Sequence, residues 1–273
     1  MKKNKSILLS GPYILWMLLF TLIPLGVMGY YALTDPDTGA FTLGNLRDLG
    51  LFLPSLGISV WYSVLSAGIC LLLGYPVAYF IAHRSPVAQK ILYMLIMLPM
   101  CMSFLLRTLA WVGLLETNGI INVLLGKLGL GTVELIGTSG AVILGMVYNY
   151  LPYMILPLYA VIVKIDNRLI EAAEDLGCNG AQVFGRVVLP LSMPGILSGI
   201  TMVFVPAVST FYISQKLGGT ETMLIGDVIE RQFKSAGNPN LGAALSLVLM
   251  LLVFVCTGIM NRFGDSEEGG VVV

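Results

Sequence analysis

Glu171, Glu174 and Asp175 crowd one helical turn of EAAEDLGCNGAQVFGRVVLPLSMPGILSG, Glu171 to Gly199, a stretch otherwise built mainly of small and apolar residues. Clustered carboxylates do acid-base or metal chemistry when a base, a nucleophile or further ligands converge on them. The sequence offers none of these at a suitable spacing. His83 is the single histidine, and Cys70, Cys101, Cys178 and Cys256 are scattered, without the paired spacing of a zinc site or a disulfide frame. ATP hydrolysis needs a glycine-rich loop ending in Gly-Lys-Ser/Thr. Here Gly126-Lys127 is followed by Leu128 and lacks the earlier glycine. An acidic face with no chemical partner either meets a basic partner or stays in water.

The elements that must position this face are apolar. Of the 273 residues, 57% are hydrophobic and 11% charged, and the mean hydropathy is +0.89. An average soluble domain carries about a quarter charged residues. Stretches long enough for a hydrocarbon core of about 30 Å, roughly 20 residues as helix, run approximately over Leu8–Leu33, Gly57–His83, Ile91–Leu115, Gly140–Ile165, Pro194–Ser214 and Leu241–Met260. No long alternating pattern suggests a barrel. The expected fold class is all-α, a polytopic membrane helix bundle of six spans. Residues 1–263 form a single transmembrane domain in this reading, and residues 264–273 a flexible acidic tail. The opening MKKNKSILLSGPYILWMLLFTLIPLGVMGYYAL has the basic flank and apolar core of a secretory signal, but its apolar part exceeds the ~7–15 residues of such a core. It reads as an uncleaved first span.

Basic residues orient the bundle. With the N-terminus in the cytoplasm, the inner segments hold Lys2, Lys3, Lys5, Arg84, Lys90, Lys164, Arg168, Arg186 and Arg262. The outer ones hold Arg47, Lys127, Lys216, Arg231 and Lys234. The positive-inside rule then puts both termini, and the acidic segment between the fourth and fifth spans, in the cytoplasm. A formal net charge of zero steers no nucleic acid. A secondary carrier would want carboxylates or histidines within the spans for ion coupling, and these spans hold almost none.

The acidic segment itself reads as a short amphipathic helix capped by Asp166 or Asn167. Ile170, Ala173 and Leu176 fall near one face of it and the acids on another. Gly177 suits a left-handed helix end. Gly180 bends the chain again before a second short helix, where Val183, Phe184 and Val187 mark one face. Two acids near the end of the first helix oppose its dipole, at a cost of about 0.3–1 kcal/mol each. So small an element cannot bury both its faces. Either another chain covers it or it is a solvated loop joining two spans.

Glu171-Ala172-Ala173, three residues, Gly177, nine residues, then Val187, any residue, Leu189 and Pro190 resembles the signature of permease subunits in binding-protein-dependent ABC importers. Val187 stands where isoleucine is more usual. The resemblance implies a type I ABC importer permease fold in which residues 166–190 are a cytoplasmic coupling segment docked on a separate ATP-hydrolysing subunit. Ala172 and Ala173 would then allow close approach, Gly177 the turn, and Glu171 a polar contact. Longer stretches are similar to one branch, the B-type permeases of spermidine/putrescine importers: VYNYLPYMILPLYAVIVKID (Val147–Asp166), MVFVPAVSTFYISQKLGGTETMLIGDVIERQF (Met202–Phe233) and LPMCMSFLLRTLAWVGLLETNGIINVLL (Leu98–Leu125). The resemblance thus implies a non-enzymatic transporter subunit in the cell membrane. Its implied partners are an ATPase pair that binds ATP and Mg, a second, C-type permease, an extracellular or periplasmic solute-binding protein, and lipid. A permease for another small solute shares the same signature.

Arg107 lies inside the third apolar stretch, where an arginine costs roughly 2.5–3.5 kcal/mol on insertion scales and must face a partner, a carbonyl or water. A clamp to the neighbouring permease or to a loop suits it better than contact with a cationic polyamine. Tyr148, Tyr150 and Tyr153, with Phe211 and Tyr212, could offer ring faces to an ammonium at about 0.5–2 kcal/mol each, or form an interfacial belt. Gly195 and Gly199 are a small-xxx-small pair for close helix approach, within this chain or to a partner. His83 reads as an interfacial anchor rather than a proton relay.

Overall fold

The computed structural model describes residues 2–35, 38–129, 131–219, 222–235 and 237–268. In chain order its helices are α1 (Lys2–Ala32), α2 (Gly44–Asp48), α3 (Leu53–Ala82), α4 (Pro86–Met97), α5 (Phe104–Leu115), α6 (Ile120–Lys127), α7 (Ser139–Ile162), α8 (Asn167–Asp175), α9 (Gly180–Val183), α10 (Leu189–Leu191), α11 (Met193–Val208), α12 (Tyr212–Leu217), α13 (Ile225–Lys234) and α14 (Pro239–Glu268). Among the described residues the only extended pairings are isolated bridges, Thr34 to Phe41 and Gly137 to Gly218. Among the described residues five helical stretches are long and apolar enough to cross a membrane, and six when the bent pair Gly180–Leu191 and Met193–Val208 counts as one.

The chain divides into two compact units, Met1–Pro54 with Val228–Leu252, and Ser55–Asp227 with Val253–Val273. In the first, α1 follows its basic start with the apolar span Leu15–Ala32, only 6% of which is buried. Its end is held by side-chain amides. Asn45 donates Nδ2 to the carbonyls of Ala32 at 3.1 Å and Thr34 at 2.9 Å, and Asn240 donates to Thr34 O at 2.6 Å. Carbonyls left open where a helix stops need such donors. Below them Ala32 packs with Ala243 and Ala244, all buried.

The second unit is built around α7, of which 61% is buried. Thr138 caps it, accepting from Ala141 N at 3.2 Å. Its apolar character on every side, with buried Val142, Met146, Met154, Ile155 and Leu158, is what a helix surrounded by other helices requires. The adjacent α3 carries buried Ser59, Ser63 and Ser66. Ser59 and Ser63 each donate to the carbonyl four residues back, at 2.7 Å, so small polar side chains are buried without orphaned hydroxyls. Across from α3, α11 lies close against α7. A Cβ added to Gly195 would sit 3.1 Å from the Pro157 carbonyl oxygen, and one added to Gly199 would sit 2.6 Å from Met154 Sδ. The glycine pair therefore serves packing inside this chain.

Three expected boundaries change. The third span is not one helix over Ile91–Leu115. After α4 the chain tightens into a 3-10 turn over Leu98–Cys101, turns extended at Met102, and starts again as α5. Pro99 has no N–H for the carbonyl four residues back, which ends the α-helical ladder there. The long apolar candidate is instead Phe104–Lys127. The fifth helix stops at Val208 rather than Ser214, and α12 begins separately at Tyr212. The last helix runs through Glu268, so residues 264–268, expected in the tail, continue α14. Residues 269–273 lie outside the described residues.

Candidate functional site

The segment between α7 and α11 holds the sequence signature. Asp166 caps α8, its carboxylate accepting from Arg168 N at 3.0 Å. At the other end Gly177 has φ +84°, its N–H donates to Glu174 O at 2.8 Å, and Cys178 N–H donates to Ala173 O at 3.1 Å. This crossed pair of bonds is a Schellman closure, which needs a left-handed residue after the helix. Gly177→Ala meets no atom within 4 Å and is strained by its backbone alone, at about 1–2 kcal/mol. Amide exchange at Gly177 and Cys178 is expected to speed up correspondingly, while exchange in α7 stays unchanged.

No residue of α8 is buried. Glu171, Ala172, Glu174 and Asp175 are exposed, and Ile170 and Ala173 half-buried. Leu176, placed near one face with Ile170 and Ala173 by helical spacing, is 86% exposed. It occupies the helix C-cap, where the chain has already turned toward Gly177, so its side chain projects off the end of the element. The second half of the segment is more anchored. Asn179 and Gln182 form a reciprocal capping box at 2.9 Å each, Val183 is 4% exposed and Val188 1% exposed. Between α9 and α10 the helix widens into a π turn over Phe184–Val188. Val187 and Leu189 of the signature are half-buried and Pro190 is exposed. Beside the start of α8 lies a cavity of about 310 Å³ lined by His83, Arg84, Gln89, Asn167, Ile170 and Val188, among others. His83 Nδ1 is 2.8 Å from Tyr79 O and its ring lies 4.2 Å from that of Tyr79, an anchored side chain.

The aromatic candidates separate. Tyr150 is 6% exposed and donates to Pro206 O at 3.3 Å. Its ring is packed 6.4 Å from that of Tyr153, which is half-buried. Tyr148 is 39% exposed, edge-on to Trp111 at 5.3 Å, and Phe211 is 40% exposed. Tyr212 packs near Phe104 at 6.4 Å, and Lys216 Nζ of the same chain stands 5.9 Å from its ring centre. Arg107, on α5, is 5% exposed, and its Nε and Nη1 are buried with no hydrogen-bond partner among the described residues. A buried guanidinium whose donors lack acceptors is costly.

Sequence reasoning passed over Tyr75 and Ser192, which are buried and hydrogen-bonded to each other at 2.8 Å. Each carries a faint local signal, a polar group in an apolar run close to a proline, Pro76 or Pro194.

Residues 71–266 match the family model described as binding-protein-dependent transport system inner membrane component. The spermidine/putrescine transport system permease protein PotB of Haemophilus influenzae is 41% identical over 268 residues, covering 92% of this chain and 94% of that one. The protein of that name from Escherichia coli strain K12 is 37% identical over 247 residues, covering 87% and 90%. Among solved structures, a bacterial ABC transporter involved in the import of the acidic polysaccharide alginate gives a TM-score of 0.75 at 18% identity, over 97% of this chain and 99% of that chain. At that identity the likeness concerns the fold, that of type I ABC importer permeases. The chain belongs to the binding-protein-dependent transport system inner membrane component family.

Proposed function

We propose that the chain is the B-type permease subunit of a spermidine/putrescine importer, carrying solute by alternating access driven by a separate ATPase pair that binds ATP and Mg. The observation that carries this reading is 41% identity to a spermidine/putrescine permease over 92% of the chain. It is supported by an α8 with no buried residue and an exposed Leu176 at its tip. In this reading both termini and residues 166–190 face the cytoplasm, Glu171, Ala172 and Ala173 touch the ATPase, and Gly177, Val187, Leu189 and Pro190 shape the segment behind them. The C-type permease completes the path, and a solute-binding protein delivers the polyamine from outside. Tyr148 and Phe211, the exposed rings of the aromatic set, offer faces to the cation. Arg107 is a clamp whose acceptor is supplied on assembly, since it has none among the described residues for Nε and Nη1.

The test is uptake by the reconstituted four-component complex, with spermidine, putrescine, sulfate and an alginate oligosaccharide offered separately. ATP-dependent, saturable uptake of the polyamines alone is expected. Uptake confined to sulfate or the oligosaccharide overturns the solute assignment. A membrane-impermeant thiol reagent applied from the cytoplasmic side is expected to label Cys178, which is half-buried, and labelling only from outside reverses the orientation.

A further inference from the structure

The coupling segment is tied to more than the two spans it joins. Helix direction changes by 64° between Gly180–Leu191 and Met193–Val208, and Ser192 stands at the corner with φ −90° and ψ −2°. Its side chain is fully buried. Ser192 Oγ donates to Leu189 O at 2.9 Å and lies 2.8 Å from Tyr75 Oη. A serine has one proton to give. With that proton on Leu189, the bond to α3 runs the other way, and the Tyr75 hydroxyl donates to Ser192 Oγ.

The ring beneath that hydroxyl is held as well. Tyr75 is 8% exposed and meets Phe184 edge-on, centroids 5.4 Å apart, and Phe184 meets Tyr79 in the same manner at 6.2 Å. Phe184 opens the π turn, so the arm from the Asn179 capping box to Leu191 rests on α3 at two points, the aromatic edge and the corner hydroxyl. Pro76 follows Tyr75 inside α3 and interrupts the backbone ladder, a place where a helix axis kinks.

We propose that the Tyr75–Ser192 contact is the fulcrum of the coupling lever, and that α3 bends at Pro76 to follow the displacement of residues 166–190. This rests on the reading of that segment as the ATPase contact. The second span then moves with α7 and α11 as one gate, and a corner freed from Tyr75 lets the arm swing while α3 stays behind.

The test uses the complete complex in proteoliposomes with spermidine as solute. Tyr75→Phe removes one oxygen and leaves the ring against Phe184, while Ser192→Ala removes the acceptor. Each is expected to raise the ATP hydrolysed per spermidine imported by about fivefold, the factor associated with one hydrogen bond, with KM for spermidine unchanged. The double variant is expected to be no worse than Ser192→Ala, because the bond that Tyr75→Phe removes is already lost there, together with the one to Leu189 O. An unchanged ratio in Tyr75→Phe overturns the proposal, and so do effects that add. Should Ser192→Ala fail to assemble, Tyr75→Phe alone decides. Crosslinking from Glu171 to the ATPase is scored on the same preparations. A crosslink with an unchanged ratio removes only the fulcrum, whereas its absence from the unaltered complex removes the docking reading beneath it.

Discussion

Leu176→Asp is expected to lower recovery of the ATPase pair with the permease by about 100-fold or more, with no change in the amount or unfolding temperature of the chain itself. The side chain is 86% exposed, so the fold has nothing to lose at this position. On docking, a leucine at the tip of α8 contributes roughly 1.5–3 kcal/mol when fully covered. A carboxylate in its place also carries the penalty of an unpaired buried charge, beside Glu174 and Asp175, which already burden the same helix end with negative charge. Uptake is expected to fall in proportion to the lost ATPase. Glu171→Gln changes one exposed polar contact and is expected to weaken recovery far less, by about tenfold at most. Equal ATPase recovery from Leu176→Asp and unaltered complexes would sink the docking role of α8.

The second large effect belongs to the bundle rather than the contact. Gly199→Leu is expected to abolish folded chain in detergent, while Gly199→Ala lowers thermal stability by an amount equivalent to about 1–3 kcal/mol. The alanine Cβ would lie 2.6 Å from Met154 Sδ and 3.3 Å from Met154 O. A thioether can swing away, since methionine has three rotatable bonds, but the carbonyl belongs to α7 and moves only with the helix. Gly195 repeats the constraint one turn earlier, against the Pro157 carbonyl at 3.1 Å and Val161 Cβ at 3.1 Å. Close approach of backbones is a main source of helix association where no hydrophobic effect acts between helices, so a leucine removes the contact instead of displacing it. Size-exclusion profiles and thermal scans of the two variants separate the outcomes. A Gly199→Leu chain that elutes and melts like the unaltered one would show that the α7–α11 crossing tolerates a wider gap.

Much of this architecture was legible from residue order. Hydrophobic length located the long helices, because crossing a hydrocarbon layer demands an uninterrupted apolar run. The short helix after the fourth span was legible down to its left-handed Gly177, because capping and helix-end chemistry act within a few residues, as the Asp166 and Gly177 geometry bears out. Pattern reading failed where a local break was hidden in an apolar run. Leu98 to Ser103 looks like the middle of a span, yet Pro99 and the extended Met102 divide it.

By itself the sequence determined the all-helical membrane class, the approximate spans and the capped short helix between the fourth and fifth of them, since each of these follows from interactions between near neighbours along the chain. Tertiary structure alone decided that Gly195 and Gly199 face α7 of the same chain, that Tyr150 is packed away while Tyr148 is open, and that Ser192 is pinned to Tyr75. Those two hydroxyls are separated by 117 positions. No periodicity or propensity relates residues so far apart, and only the packing of α3 against the corner before α11 brings a donor within reach of its acceptor.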